Sequence, residues 1–241
     1  MEVAPGIHHF DTDPFNWYVI EERGRLTLVD AGFPGHYRVF LDGIRSIGRA
    51  INDVEAIVLT HAHADHTGFA EALREATGAP VFVHRDDLAS ATRILQLPWP
   101  GLLSNIWRPF GRSILWGATR AGVFSAPRIT KARPFEDGDV LDVPGRPHAL
   151  HAPGHTAGEV ALYLPERGVL ISGDTLITRD LRTGAWGRPQ VPHRSLNADD
   201  RGARRSLDRL GEIGQVTMLP GHGRPWAGAM PEAIAAARSL L

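Results

Sequence analysis

The chain has 241 residues, with 26 Lys and Arg against 27 Asp and Glu, which gives a formal charge of −1 at pH 7. Because 43% of its residues are hydrophobic and 22% are charged, the composition is that of a folded globular protein and excludes disorder as the main state. The absence of cysteine excludes disulfides, thiolate zinc sites, iron–sulfur clusters and cysteine nucleophiles. Any bound metal must therefore be held by His, Asp or Glu side chains.

The near-neutral charge produces no strong overall field that would attract nucleic acid or an anionic membrane. The first residues show neither a basic stretch nor an apolar run, and no apolar segment of about 18 residues occurs along the chain. We therefore expect a cytoplasmic protein that acts on a small molecule, with no nucleic acid and no membrane among its partners.

Short apolar stretches separated by turn residues predict an antiparallel meander at the start of the chain. A helical spacing of apolar residues follows, and then a nearly unbroken apolar stretch that is typical of a strand buried on both faces. The predicted strands are residues 7–10, 17–20, 26–29, 54–59 and 81–83, and the predicted helices contain residues 39–47 and 69–76.

After residue 137 a second β-rich stretch is again followed by helices. The predicted strands are residues 140–143, 148–151, 160–164, 169–172 and 216–219, with one helix around Leu207 and Leu210 and another from Pro231. Two halves of this kind predict one domain over residues 1–241, in which two sheets pack face to face with helices outside them.

Residues 88–128 form an apolar insertion between the two halves. They hold three of the six tryptophans, Trp99, Trp107 and Trp116. Because so many apolar side chains need a surface to cover, we predict a helical flap packed on the core. A lid over a substrate pocket and a contact within a homodimer are the alternatives.

Four metal-ligand side chains lie within six positions directly after the strand at 54–59. In extended backbone, residues i and i+2 point the same way, so His61 and His63 can grip one cation while Asp65 and His66 turn toward a second position. Without a cation, these groups at the end of a buried strand would repel and desolvate one another. The cluster therefore predicts a metal site.

Three later loops each present a ligand-type residue after an apolar stretch. His155, Asp174 and His222 are each preceded by a glycine, which lets the backbone turn sharply and approach a centre closely. Each loop is weak evidence when it is taken singly, because Gly-His and Gly-Asp also occur in ordinary turns. Together with the first cluster they predict one shared site.

At these positions the sequence resembles the metallo-β-lactamase-fold hydrolase superfamily, in particular its glyoxalase II and lactonase-like branch. The resemblance rests on HxHxDH at 61–66, GHT at 154–156, GDT at 173–175 and GHG at 221–223, in the family's order, and on LVDAG at 28–32. It covers nearly the whole chain. It implies a mixed α/β fold, a four-layer αββα sandwich, with the site at one edge of the two sheets.

The resemblance also implies a ligand set for two divalent cations. One metal is assigned to His61, His63 and His155, the other to Asp65, His66 and His222, and Asp174 is assigned as the bridge between them. Two divalent cations, two carboxylates and one hydroxide leave a charge of about +1, whereas one cation would leave about −1. Because the ligands are nitrogen and oxygen without sulfur, we expect zinc, with iron or manganese as alternatives.

The implied reaction is attack on an ester, thioester or lactone carbonyl by a hydroxide that bridges the two metals. Asp65, or water held by it, is the candidate catalytic group that protonates the leaving group. Asp30, Thr60 and His151 are candidates for orienting the ligand imidazoles, and a purely structural role is the alternative for each.

Fold analogy does not choose the substrate. The candidate pocket residues are Trp99, Trp107 and Trp116 of the insertion, together with Arg179 and Arg182, whose alternative is a solvated basic face. This apolar insertion favours a substrate with an apolar acyl part. Three other functions stay open: a mononuclear-iron thiol or persulfide oxidoreductase, a metal-dependent phosphodiesterase, and a metal-stabilised binding module without catalysis.

Overall fold

The N-terminal half of the chain forms a seven-stranded sheet in which the strands lie side by side in chain order. The strands are β1 (Glu2–Ala4), β2 (Ile7–Asp11), β3 (Asn16–Glu22), β4 (Arg25–Val29), β5 (Val54–Val58), β6 (Val81–His84) and β7 (Ala132–Phe135). The pairs from β1 to β4 are antiparallel and those from β4 to β7 are parallel. The carboxyl ends of β4 to β7 therefore lie at one edge of the sheet.

The C-terminal half forms a five-stranded sheet and a separate two-stranded ribbon. The strands are β8 (His148–His151), β9 (Val160–Leu164), β10 (Val169–Gly173), β11 (Ile177–Arg179), β12 (Trp186–Gln190), β13 (Gln215–Pro220) and β14 (Trp226–Ala229). The order in the larger sheet is β14-β13-β10-β9-β8, and β11 pairs with β12. Because β10 and β13 are parallel neighbours, the loops that follow them lie side by side.

The helices cover the outer faces of the two sheets and fill the connection between β6 and β7. They are α1 (Tyr37–Ser46), α2 (Ala64–Thr67), α3 (Ala70–Thr77), α4 (Leu88–Ala91), α5 (Trp99–Asn105), α6 (Pro109–Arg120), α7 (Asp200–Leu210) and α8 (Met230–Ser239). The computed structural model describes residues 1–93, 96, 97 and 99–239, except for the side chains of residues 99, 100 and 102. Within these residues no helix is both long and apolar enough to cross a membrane.

Three layers of apolar side chains hold the four structural layers together. Ile20 and Val58 of the first sheet pack with Ile171 of the second, between the two sheets. Helices α1 and α3 pack on the other face of the first sheet through residues such as Phe40, and α7 and α8 pack on the second sheet through residues such as Leu207. The predicted αββα sandwich is confirmed.

The structure corrects one predicted strand, residues 140–143. Only Val140 bridges to His148 there, because the chain turns at Gly145 and Arg146, both of which have positive φ. Leu141 and Val143 are nevertheless buried between the sheets. Their apolar character therefore reflects packing of a loop into the core, which a sequence pattern alone does not distinguish from a short strand.

Candidate metal centre

The first four ligand candidates lie where β5 ends and the short helix α2 begins. His63 still has extended backbone, with φ −74° and ψ 154°, and helix α2 starts at the next residue. His61 and His63 therefore face each other, with 3.1 Å between Nε2 and Nδ1. The helical turn carries Asp65 and His66 to the other side, where His66 Nε2 lies 3.7 Å from Asp65 Oδ2.

The second sheet supplies the other three candidates. His155 follows β8, and its Nε2 lies 2.9 Å from His63 Nδ1. His222 follows β13, and its Nε2 lies 3.4 Å from Asp65 Oδ2. Asp174 follows β10 and lies between these two groups, with its Oδ2 3.4 Å from His155 Nε2 and 3.1 Å from His222 Nε2. The structure thus brings all seven predicted ligand residues together.

The donor atoms form groups with the spacing that a metal ion requires. His61, His63 and His155 form one group, Asp65, His66 and His222 form another, and in each the donor atoms lie within 4.8 Å of one another. Ligands about 2.0–2.1 Å from a tetrahedral zinc ion are roughly 3.3 Å apart, close to the distances measured here. His66 Nε2 and Asp174 Oδ1 are buried without a hydrogen-bond partner among the described residues. Such atoms are expected where a cation binds, so these residues fit a metal.

Burial and neighbouring charges set the protonation of the cluster. Burial lowers the pKa of His61 and His63 well below the usual value, and nearby imidazoles lower it further. Burial also acts to lower the pKa of His66, but three nearby carboxylates outweigh it and raise this pKa to about 10. The first group is therefore neutral and ready to coordinate, whereas the second attracts a positive charge.

Glycine is required where the loops meet. A Cβ at Gly221 would lie 2.3 Å from Asp174 Oδ1 and 2.8 Å from His66 Cε1. Gly173 has φ +51°, and a Cβ there would lie 2.5 Å from Glu159 Oε1. A side chain at either position would push the ligand-bearing loops apart.

Two of the three predicted orienting residues contact the cluster. Asp30 accepts hydrogen bonds from the backbone N–H and the hydroxyl of Thr60, and its Oδ2 lies 2.9 Å from His66 Nδ1. The Thr60 hydroxyl lies 3.1 Å from His61 Nδ1. His222 is oriented differently, because its Nδ1 donates to the carbonyl of Pro14 at 2.9 Å. In each case the other ring nitrogen is left to face the centre.

His151 does not contact the cluster. Its ring stacks on His84, with centroids 4.0 Å apart, and its Nε2 donates to the carbonyl of Ala157 at 2.8 Å. The prediction failed here because His151 belongs to strand β8 itself, whereas the ligand residues follow the strand ends.

Sequence reasoning missed Glu159, a fully buried carboxyl beside the cluster. Its Oε1 accepts from the backbone N–H of Asp174 at 2.9 Å, and its Oε2 lies 3.2 Å from His61 Nδ1. Burial, followed by the charge of Asp174, raises the pKa of Glu159 well above its usual value. No signal marked it, because a single Glu at the start of a strand is common.

Sequence reasoning also missed Asp87, which is buried behind the ligand loops. Its carboxylate accepts hydrogen bonds from the backbone N–H of Ala62, the hydroxyl of Thr156 and the backbone N–H of Gly158, at 2.8–2.9 Å. It therefore joins the loop that carries His61 and His63 to the loop that carries His155.

A cavity of about 840 Å³, counted with its open mouth, lies over the cluster. The lining residues outside the cluster are Phe15, Phe33, Leu97, Gly101, Asn105, Gly111, Ile114, Leu115, Ala118, Val123, Phe124, Leu181 and Leu196. Most of them belong to the insertion or are apolar residues next to it. The floor of the cavity is formed by His63, Asp65, His155, Asp174 and His222.

Four of the five predicted pocket residues do not line this cavity, and the fifth, Trp99, is not tested. Trp107 and Trp116 are 64% and 65% exposed on the outside of the insertion, and the Trp99 side chain lies outside the described residues. Arg179 instead lies 4.0 Å from the Trp186 ring and pairs with Asp13.

Arg182 lies at a different surface depression, beside His193 and Arg194. Arg179 is thus held against Trp186 of strand β12, and Arg182 lies in the turn between β11 and β12.

Residues 11–222 match the family model of the metallo-beta-lactamase superfamily. The chain belongs to this superfamily. It is 26% identical to the probable metallo-hydrolase YflN of Bacillus subtilis, over 95% of this chain and 88% of that protein. A metallo-beta-lactamase family protein from Thermus thermophilus superposes with a TM-score of 0.70 at 26% identity, over 99% of this chain and 81% of the other.

Two further relatives bear on the chemistry of the superfamily. The crystal structure of TTHA1623 in a di-iron-bound form superposes with a TM-score of 0.62 at 28% identity, over 97% of this chain and 98% of the other. A hydroxyacylglutathione hydrolase of Methylobacillus flagellatus is 31% identical over 68% of this chain and 48% of its own length. This superfamily member is thus a metal-dependent hydrolase.

Proposed function

We propose that this metal-dependent hydrolase holds two divalent cations and cleaves an ester, thioester or lactone with an apolar acyl part. The observation that carries the proposal is the place of Asp174, whose Oδ2 lies between the His155 and His222 nitrogens at 3.4 and 3.1 Å. A carboxylate shared by two three-residue groups suits a pair of cations.

Zinc is the proposed metal, because the set contains five imidazoles and two carboxylates and no sulfur. Iron and manganese are the alternatives, and the di-iron-bound form of TTHA1623 supports iron as a candidate. His61, His63 and His155 would hold one ion, Asp65, His66 and His222 the other, and Asp174 would bridge them. When bound, such a pair lowers the pKa of water and polarises a carbonyl oxygen.

The protein's own residues supply orientation and proton transfer. The hydrogen bond of His222 Nδ1 to Pro14 and the contact of His66 Nδ1 with Asp30 fix the two rings. Asp65 belongs to the cavity floor beside the other donor atoms, so its carboxyl can carry a proton to a leaving group in the cavity. It is the proposed catalytic residue.

The lining of the cavity supports the apolar acyl part. Among the described lining residues outside the cluster, only Asn105 has a polar side chain. Its amide N–H groups donate to the Gly101 carbonyl and the Ser104 hydroxyl, so they are already paired. No Arg or Lys belongs to the described lining, so a phosphodiester would find its counter-charge only at the metal centre, whereas an apolar acyl group suits the rest of the cavity.

The thioester is the second candidate within this class. The relative from M. flagellatus is named a hydroxyacylglutathione hydrolase, and an acylglutathione is a thioester. An acyl thioester and an acyl ester present the same carbonyl to the cluster. The two differ only in the leaving group.

The test begins with protein purified without added metal. Its metal content is measured by mass spectrometry, and acyl esters, thioesters, lactones and a phosphodiester are then assayed. Two zinc ions per chain and hydrolysis of the carbonyl substrates are expected. One iron per chain with oxygen uptake in the presence of a thiol or persulfide would overturn the proposal in favour of an oxidoreductase. Fully metallated protein that turns over none of these compounds would leave only a binding module.

The acyl preference has its own matched pair of variants. Ala118 lines the cavity, whereas Thr119, the next residue of α6, is exposed. We expect Ala118→Leu to lower kcat/KM for long acyl chains about tenfold relative to acetyl substrates, and Thr119→Leu to leave the ratio unchanged. Equal ratios in both variants would contradict the assignment of the cavity while leaving the hydrolysis itself intact.

A further inference from the structure

Helix α6 has an outer face that is both basic and aromatic. Arg108, Arg112, Trp116 and Arg120 follow one another at intervals of four residues, so they are neighbours along one side of the helix. All but Arg108, which is half-buried, are exposed. The opposite side of α6 faces the cavity through Ile114 and Ala118, among others.

The charge of the insertion is of one sign. Residues 88–128 contain five arginines and no Asp, Glu, Lys or His, although the whole chain has a formal charge of −1. In the described part of the chain, none of these arginines forms an ion pair. Arg108 lies over the Trp107 ring at 4.4 Å and Arg120 near the Trp116 ring at 5.8 Å. The positive charge is therefore free to meet a negative partner.

Large exposed apolar side chains accompany these arginines. Trp107, Trp116 and Leu103 are each more than 60% exposed, and Ile106 is 39% exposed. These four are among the nine large apolar side chains that are exposed in the described residues, and none of them lines the cavity over the cluster. Exposed apolar side chains that cluster in this way mark an interaction surface.

The composition and shape of this surface favour one kind of partner. A second copy bound through the same face would bring like charges together in a two-fold interface. The side chains of Trp107 and Trp116 are 64% and 65% exposed, so both indole rings project from the surface, where they can enter a partner. Trp and Arg on one side of a helix are typical of elements that lie in the interface of an anionic bilayer.

We propose that the outer face of the insertion, centred on Arg112, Trp116 and Arg120, docks on an anionic lipid surface. The indole rings would enter the headgroup region while the guanidinium groups pair with lipid phosphates. The expectation of no membrane partner, drawn from the overall charge, is revised here because the charge is unevenly distributed along the chain. The proposal does not depend on the substrate or on the metals.

The test is sedimentation of the metal-loaded protein with two kinds of vesicle, phosphatidylcholine alone and phosphatidylcholine mixed with phosphatidylglycerol. Binding is expected only to the mixed vesicles and is expected to weaken as salt is raised. Arg112→Glu and Arg120→Glu should each lower the partition coefficient about fivefold or more. Trp116→Ser should lower it as well.

The matched control is Arg201→Glu, a charge reversal at an exposed arginine of helix α7, which lies outside the insertion. It should bind as the unaltered chain does. The proposal is overturned if the mixed vesicles are not bound, or if Arg201→Glu and Arg112→Glu weaken binding equally. It is also overturned if Arg112→Glu abolishes self-association in a protein that binds no vesicle, since the surface would then belong to a dimer.

Discussion

Asp65 differs from Asp174 in its access to the cavity. Its side chain is 16% exposed, whereas that of Asp174 is 2% exposed. Burial of Asp174 raises its pKa, but the imidazoles of His222, His155 and His66 outweigh this effect and lower the pKa below its usual value. Asp174 is therefore an ionised group suited to holding metal, while the position of Asp65 suits proton exchange with a bound substrate.

Asp65→Asn tests this division of roles. The amide keeps the size of the side chain but cannot carry the proton, so we expect kcat to fall about 100-fold or more while part of the metal stays bound by the other six residues. Metal content and steady-state rates are measured on the same sample. Asp42→Asn on the exposed face of α1 is the control. Full metal content with a full rate in Asp65→Asn would refute the assignment.

His36 is a buried imidazole outside the cluster. It stacks on Trp17 with centroids 5.3 Å apart, and its Nδ1 accepts a hydrogen bond from the backbone N–H of Phe33 at 3.1 Å. Burial lowers its pKa to about 4. The neutral ring therefore stabilises the fold above pH 6.5, and this contribution is lost as the pH falls toward 4, because the unfolded chain takes up the proton first.

His36→Asn keeps an acceptor for the Phe33 N–H and removes the titration. Between about pH 6 and 4, the free energy of unfolding of the unaltered chain should fall more steeply than that of the variant, by up to about 1.4 kcal/mol per pH unit. Urea unfolding at several pH values measures the difference, and the titrating residues of the metal centre are common to both proteins. Parallel curves would show that His36 does not titrate in this window.

At the scale of single residues, the sequence predicted those side chains whose pattern is local. His61, His63, Asp65 and His66 share one short segment, and the other three candidates sit in similar glycine-framed loops. Asp87 was not predictable in this way. Its partners at 62, 156 and 158 are mainly backbone groups, which carry no sequence signature and meet only after folding.

The helices of the insertion depend on a close contact between α5 and α6. Gly111 of α6 lies against α5, and a Cβ there would be 2.2 Å from the Asn105 carbonyl oxygen. The backbone must therefore move to admit any side chain. Gly117, on the same helix, has no described atom within 4 Å of such a Cβ.

Gly111→Ala and Gly117→Ala form a matched pair on one helix. We expect Gly111→Ala to destabilise the protein by about 1–3 kcal/mol and to weaken the preference for long acyl chains, because the cavity wall shifts. Gly117→Ala should be neutral or stabilising by up to about 1 kcal/mol. Chemical denaturation and an acyl-chain series measure both effects. If the two variants behave alike, the contact between α5 and α6 does not shape the cavity.

At the scale of elements, the fully buried strands were the most predictable. The stretch 54–59 corresponds to β5 (Val54–Val58), in which every residue except the exposed Glu55 is apolar and buried, as is typical of a strand covered on both faces. By contrast, β7 (Ala132–Phe135) and β12 (Trp186–Gln190) were not predicted, since several of their residues are exposed. Their strand conformation depends on the neighbour with which each pairs, and that neighbour is known only from the tertiary structure.

At the scale of the whole molecule, the cluster of seven ligand candidates connects the two sheets. The first sheet contributes four ligand candidates and the second contributes three, from loops that follow β8, β10 and β13. Ions that bind only this assembled arrangement stabilise the native state by mass action. Their removal leaves buried carboxyls and imidazoles without their partner.

Chelation should therefore lower the melting temperature. At free metal about 1,000-fold above Kd, the linked stabilisation is about 4 kcal/mol, which for a chain of this length corresponds to roughly 10 °C. Calorimetry with and without a chelator measures the shift, and chelator already saturated with zinc serves as the control. An unchanged melting temperature, with metal loss verified by mass spectrometry, would show that the ions do not stabilise the connection between the two sheets.

The anchoring of the ligand loops by Asp87 has a consequence for protein engineering. All three groups that its carboxylate binds belong to residues 62, 156 and 158, and none belongs to residues 99–124. Residues 99–124 can therefore be exchanged for another segment without removing the three hydrogen bonds of Asp87. The substrate range of such chimaeras could then be changed while the loops that carry the metal ligands stay in place.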